Sequence, residues 1–335
     1  MAEISAAVKD AAPERSTFMV AENEAQDLYI VKHYGVDSMW NDDFHHSASV
    51  LLTGHNEAYY SDYKGTAQEF VSMAKYGYLY QGQYYSWQNK TRGTPSMGFS
   101  PQTFIHFIQN HDQIANSCRG KRVHELTADS PFRAMTALLL LGPQLPLLFQ
   151  GQEFASSSPF YYFAYHEDEL ASLTTYGRKQ FLSQFQSISS VNGPLVPAPS
   201  DPPAFERCRL NFTERESHKA IYDLHKDLLR LRRDDPVILG SNRAAVDGAV
   251  LGPRCFLLRY FGTQDGDDRL LLFNFEIDSR LSPSPEPLLA PPLHKQWQII
   301  WYSEDPRYGG MGSHPLFENG TLTAGGNSAY LLKAV

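Results

Sequence analysis

Cysteine is scarce in this chain: Cys118, Cys208 and Cys255 stand far apart and form no C-x-x-C pair. An odd, scattered set builds neither a disulfide framework nor a structural zinc site, so the three are expected to pack as small apolar side chains. Positive charge is in deficit as well. With 29 Lys and Arg against 37 Asp and Glu the formal net charge is -8, which argues against nucleic acid as a partner, because its phosphates are met by a positive surface. No run approaches the roughly 20 apolar residues of a membrane span. The opening MAEISAAVKDAAPERS is charged throughout and lacks the apolar centre of a signal peptide. The expectation is a cytoplasmic protein with no nucleic-acid and no membrane partner.

Aromatic residues, by contrast, are plentiful, with 19 Tyr and 20 Phe. Several cluster in polar, loop-like stretches: Tyr59-Tyr60, Tyr84-Tyr85 and Pro159-Phe160-Tyr161-Tyr162-Phe163. Sugar rings stack on such faces, although aromatics also dominate cores everywhere. Only their closeness to candidate catalytic carboxylates separates the two readings. At 335 residues the chain has room for more than one core, and two domains are expected.

Residues 2 to 13 read as a weak amphipathic helix, followed by a short apolar run, Ser16 to Ala21, that ends in the acidic AENEAQD. The same layout recurs. VDSMW (36 to 40) ends in Asn41-Asp42-Asp43, TFIHFI (103 to 108) in Gln109-Asn110-His111-Asp112, and LPLLF (145 to 149) in Gln150-Gly151-Gln152-Glu153. Between these strands lie helical stretches. The clearest places Ser130 as cap, Pro131 at the first helical position and Gly142 at the end; another runs near 215 to 233. Strands alternating with helices, with polar residues at the strands' C-terminal ends, is the layout of a (β/α) barrel, which closes with eight units. About four units are counted here. After Pro236 the pattern turns to short β runs, 255 to 261, 269 to 277, 296 to 302 and the terminal AYLLKAV, with a Pro-rich loop at 282 to 292. The expected fold is therefore α/β: the second half of a (β/α)8 barrel over residues 1–235, catalytic, then an antiparallel β-sandwich over 236–335.

Hydrolysis of a glycoside with retention needs a carboxylic acid on the leaving oxygen and a second carboxylate as nucleophile about 5 Å away. The strand ends offer Glu22, Glu24, Asp42, Asp43, Asp112 and Glu153. The sharpest signal is Phe107-Ile108-Gln109-Asn110-His111-Asp112-Gln113, which resembles the seventh-strand region of the α-amylase superfamily of glycosidases. The longer run from Asn110 to Arg122 is similar to one branch of it, the maltooligosyltrehalose trehalohydrolases. Met19-Val20-Ala21-Glu22 is similar to the fifth strand of that branch, and Trp40-Asn41-Asp42-Asp43-Phe44-His45-His46 to its WxDDFHH element. LLFQGQEF, Ser158-Pro159-Phe160 and Gly177-Arg178 follow in the family's order.

The resemblance implies Glu22 as general acid/base and Asp112 as the residue that stabilises the transition state. It implies substrate contacts from His111, Asn110, Asp42, Asp43, His45, His46, Trp40, Gln113, Phe160 and Arg178. The implied substrate is a maltooligosaccharide capped with trehalose, and no metal or organic cofactor is required. The nucleophilic Asp of the family's fourth strand has no match in this sequence, so a partner supplying the other half-barrel, or an inactive chain, is part of the expectation. Where the family usually has Thr-Asp-His after the aromatic cluster, this chain has Ala164-Tyr165-His166. Other readings stay open: a glucan-binding remnant without catalysis, a related branching enzyme, a metal cluster at His45-His46, and a purely structural Glu153.

Overall fold

The computed structural model describes residues 1–189, 197–240, 245–264, 266–312, 316–318 and 321–335. Four short strands, Val20–Ala21, Ser38–Trp40, Phe104–His106 and Leu145–Pro146, lie side by side in chain order as one parallel sheet. Their register pairs Val20 with Ser38, Met39 with Phe104 and Ile105 with Leu145. The strands are shorter than the apolar runs suggest. At Met19 the reason is visible: its N–H donates to the Asp37 carboxylate at 2.7 Å, and both Asp37 and Ser38 donate to its carbonyl. The side chain thus takes the place of a ladder bond.

Helices follow each strand. Asp42–Thr53 starts where the Asn41 side chain accepts from the Phe44 N–H at 3.3 Å, and Asp42 and Asp43 in its first turn suit the positive end of the helix. Ala67–Tyr76 opens on a reciprocal capping box between Thr66 and Glu69. It stops at Gly77, whose φ of 83° and closeness to Phe104, 2.4 Å from where a Cβ would stand, admit no side chain. Asp129–Leu141 corrects the expected cap, because the residue leading the helix is Ala128 and Ser130 lies inside it. The Ser130 hydroxyl is drawn away, donating to Glu304 at 3.4 Å and accepting from Arg133 at 3.0 Å. Lys219–Asp234 likewise starts later than expected, after a separate turn over Glu214–Ser217.

The remaining strands are antiparallel. A five-stranded sheet runs in the order Trp297–Tyr302, Ser328–Ala334, Arg269–Asn274, Cys255–Tyr260, Val246–Val250. A second sheet runs Ser279–Leu281, Thr321–Ala324, Phe317–Glu318. Two of the three inner strands of the larger sheet, Cys255–Tyr260 and Arg269–Asn274, are buried along their whole length. Phe256, Leu258, Tyr260, Leu271 and Phe273 pack with Leu138, Leu224 and Leu228 of the helices, while Leu257, Leu270 and Leu272 meet Leu322 and Ala324 of the smaller sheet. Burial on both faces is why these strands read as continuous apolar runs rather than alternating ones. Polar links reinforce the junction: Arg133 pairs with Glu304 at 2.6 Å, Arg269 with Asp235 at 2.7 Å, and the Tyr260 hydroxyl donates to the Leu141 carbonyl at 2.7 Å.

Candidate active site

Glu22 directly follows the first strand and is exposed. Asp112 sits in the short helix His111–Ala115, whose start is fixed by Asn110, its side-chain oxygen accepting from the Gln113 N–H at 2.9 Å. The two acids lie on different strand ends yet share one field. Partial burial raises the Glu22 pKa, the charge of Asp112 raises it further, and His111 opposes both. His111 Nε2 stands 3.5 Å from Asp112 Oδ1, both side chains about half exposed. Trp40 backs this corner, its ring 6.1 Å from that of His111 and 5.7 Å from that of Phe107.

Behind Glu22 the adjacent aspartates divide the work. Asp43 is fully buried, accepting from the Tyr63 hydroxyl at 2.7 Å and from the Leu79 and Tyr80 N–H groups at 2.9 Å each. Asp42 is partly open, and its pKa is pushed up to about 6 by burial, with Arg92 pulling down and Asp43, Glu22 and Glu24 pushing up. His45 and His46 lie beneath. His45 bonds the Ile108 carbonyl at 3.0 Å and the Tyr60 hydroxyl at 3.1 Å, and burial holds its pKa down to about 4. His46 stacks on Tyr59 at 5.0 Å and meets Tyr63 edge-on at 4.8 Å, and its pKa too is depressed by burial.

On the other flank the Gln113 side-chain oxygen accepts from Tyr59 at 2.5 Å and Tyr60 at 3.2 Å. The Arg178 guanidinium lies over the rings of Tyr162 and Phe181, at 5.2 and 5.5 Å. Burial lowers its pKa, and Asp112 heads the groups that oppose the shift. Phe160 sits farther along, edge-on to Phe149 at 5.0 Å and to Phe163 at 5.8 Å. The structure therefore brings Glu22, Asp42, Asp112, His111, Trp40, Gln113 and Arg178 around one region. It sets Asn110, Asp43, His45 and His46 below that region as supports, and leaves Phe160 in an aromatic row of its own. Sequence reasoning missed Arg92, which is 2% exposed beside both aspartates. A lone Arg in the polar stretch KTRGT gave no signal. Glu153 faces Arg215 at 3.7 Å.

Comparison with known proteins bears on this arrangement. The malto-oligosyltrehalose trehalohydrolase of Deinococcus radiodurans is 38% identical over 262 residues, covering 76% of this chain and 42% of that protein. Its counterpart from Arthrobacter ramosus is 31% identical over 258 residues, with 74% and 44% covered. The chain is a relative of the malto-oligosyltrehalose trehalohydrolases. It spans a little over two fifths of the length of these two trehalohydrolases. Residues 243–329 match a domain family described as a domain of unknown function, DUF3459. Among solved structures, a Salmonella typhimurium protein described as a candidate alpha amylase matches all of this chain with 54% of its own, at a TM-score of 0.79 and 24% identity. An alpha-amylase from H. orenii matches all of the chain at a TM-score of 0.57 and 13% identity. These likenesses show the fold that the chain shares with part of those two proteins: a layer of parallel strands and helices followed by antiparallel β sheets.

Proposed function

We propose that this chain carries the acid/base and the transition-state stabiliser of a retaining glycosidase that cleaves an α-1,4-glucosidic bond and releases trehalose from maltooligosyltrehalose. The observation that carries the reading is the pairing of Glu22 with Asp112 across two strand ends, with the Glu22 pKa raised by burial and by that neighbouring charge. A carboxyl whose pKa is raised keeps its proton to higher pH than a free one and can donate it to the leaving glycosidic oxygen. Asp112 and His111 then hold the distorted sugar as positive charge develops at its anomeric carbon. Once a covalent intermediate has formed, the ionised Glu22 takes a proton from water and the glucan leaves.

Trp40, Gln113 and Arg178 line the sugar path in this reading, with Asp42 at its mouth and the aromatic row of Phe160 farther along. Asn110, Asp43, His45 and His46 shape it from below. Residues 1–235 form half of a (β/α)8 barrel and residues 236–335 a β-sandwich that covers it. The nucleophile comes from a half-barrel outside these 335 residues, in a separate chain or in a longer protein of which they are a segment, so these residues alone are inactive. The setting is cytoplasmic trehalose synthesis. The names of the relatives support the reaction, and the order of motifs along the chain supports the roles.

The test is trehalose release from maltooligosyltrehalose by the purified chain and by the chain joined to a half-barrel that bears the fourth-strand Asp, each beside its Glu22→Gln variant. Release by the joined protein, falling about 10²- to 10⁴-fold in Glu22→Gln, is expected. Equal rates for the joined protein and its variant would remove Glu22 from the role. Release by the chain alone would place the nucleophile within it.

A further inference from the structure

Residues 82–94 bracket the site from a side that the motifs do not mark. Tyr84–Tyr85 pairs antiparallel with Lys90–Thr91. Next to this hairpin the Gly82 N–H donates to the Arg92 carbonyl at 2.8 Å and the Arg92 N–H to the Gln83 carbonyl at 3.0 Å. The chain then grips the Glu22 loop. The Gly93 N–H donates to the Ala25 carbonyl at 2.9 Å. The Thr94 hydroxyl donates to the Gln26 carbonyl at 3.2 Å and accepts from the Leu28 N–H at 3.0 Å. The Gln88 side-chain amide donates to the Glu24 carboxylate. Gly93 cannot be replaced, because its φ is +77° and a Cβ there would stand 1.8 Å from the Tyr80 carbonyl oxygen. The backbone therefore sets where Arg92 points.

The Arg92 side chain runs inward over the Tyr85 ring, 5.0 Å from its centroid. Nη2 stops 3.7 Å from Asp42 and Nε 3.5 Å from Asp43. Neither nitrogen makes a hydrogen bond, so the guanidinium acts on the two aspartates as a buried charge rather than as a hydrogen-bonded fork. Asp42 meets negative charge from three sides, from Asp43 on its own helix and from Glu22 and Glu24 on the facing loop. Tyr59, Tyr60 and Tyr78 complete its surroundings. Arg92 is the cation that acts on it.

We propose that Arg92 is a positioning residue of this site, a counter-charge that holds Asp42 and Asp43 together against the Glu22 loop which its own neighbours Gly93 and Thr94 clamp. Without that charge, adjacent carboxylates facing two glutamates relieve their repulsion by taking up a proton or turning away. The catalytic meaning of the proposal rests on Glu22 being the acid/base; the electrostatic claim does not.

The experiment is a carbon-detected NMR titration of the whole chain labelled with 13C-aspartate, the Asp42 signal being identified by its loss in Asp42→Asn. In Arg92→Gln the Asp42 midpoint is expected to climb by about one pH unit or more, and Arg92→Lys is expected to recover most of that shift. An unmoved midpoint in Arg92→Gln, or equal displacement in both variants, overturns the proposal. Should Arg92→Gln fail to fold, Arg92→Gln/Asp43→Asn removes one of the opposed charges. Recovery of the fold supports the counter-charge role and continued unfolding overturns it. No turnover enters this readout, so failed trehalose release in the joined protein would sink the hydrolase reading and leave Arg92's role standing.

Discussion

The two parts of this molecule treat polar groups in opposite ways. Among the described residues, every buried side-chain nitrogen or oxygen without a hydrogen-bond partner lies between Ser5 and His225, in the part that holds the parallel sheet. They include both ends of the Gln26 amide, His46 Nδ1, Arg92 Nε and Nη2, and Arg178 Nη2. In the antiparallel part the buried charges are satisfied. Arg259 makes two bonds to Asp268 and two to backbone carbonyls, and the Asn274 amide donates to three carbonyls. An unsatisfied buried polar atom costs about 1–3 kcal/mol, and such costs gather where function demands them. One part closes its buried polar bonds, the other leaves several open.

That contrast can be broken most forcefully in the antiparallel part. Leu271, fully buried at the centre of the larger sheet, is expected to cost about 2–5 kcal/mol as Leu271→Ala, read as a lowered urea midpoint. A loss below 1 kcal/mol would deny the antiparallel part its stabilising role. Asp42 sharpens the contrast through pH. Its pKa is raised from 3.8 to about 6 in the folded chain, so between those values the native state holds more proton than the unfolded one and stability falls as pH rises. His45, lowered from 6.5 to about 4, acts in the opposite sense, losing stability as pH falls through that window. Asp42→Asn should therefore steepen the net loss on acidification from pH 6 to 4, visible in urea midpoints measured at both values. An unchanged slope would mean that Asp42 titrates normally. The smallest effect belongs to Glu22. Exposed on its loop, it should alter stability by no more than about 0.5 kcal/mol as Glu22→Gln, measured by the same unfolding curve. A large loss would make it a structural residue.

Much of the placement of the candidate residues was legible because the strand-end pattern is local. A short apolar strand followed at once by acidic residues puts side chains such as Glu22 and Asp112 at a strand's C-terminal end whatever the rest of the chain does. The caps at Asn41 and Asn110 also act within three residues, though nothing in their polar strand-end runs singled them out as caps. The error at Ser130 has the opposite cause: its hydroxyl is claimed by Glu304, far along the chain, and no local pattern carries that competition. The strand Val246–Val250 and the smaller sheet also went unread, their short stretches lacking a strong apolar period.

By itself the sequence determined the order of strands and helices, the change of character after Pro236, and the chemical type of residue at each strand end. Tertiary structure alone decided which carboxylates share a field. It set Asp43 beneath and left Asp42 partly open, it brought Arg178 to Asp112, and it lodged Arg92 between two aspartates from another element. The reason is physical: caps and apolar periods act over a few residues along the chain, whereas charge and burial act through space, between groups whose separation in sequence carries no pattern.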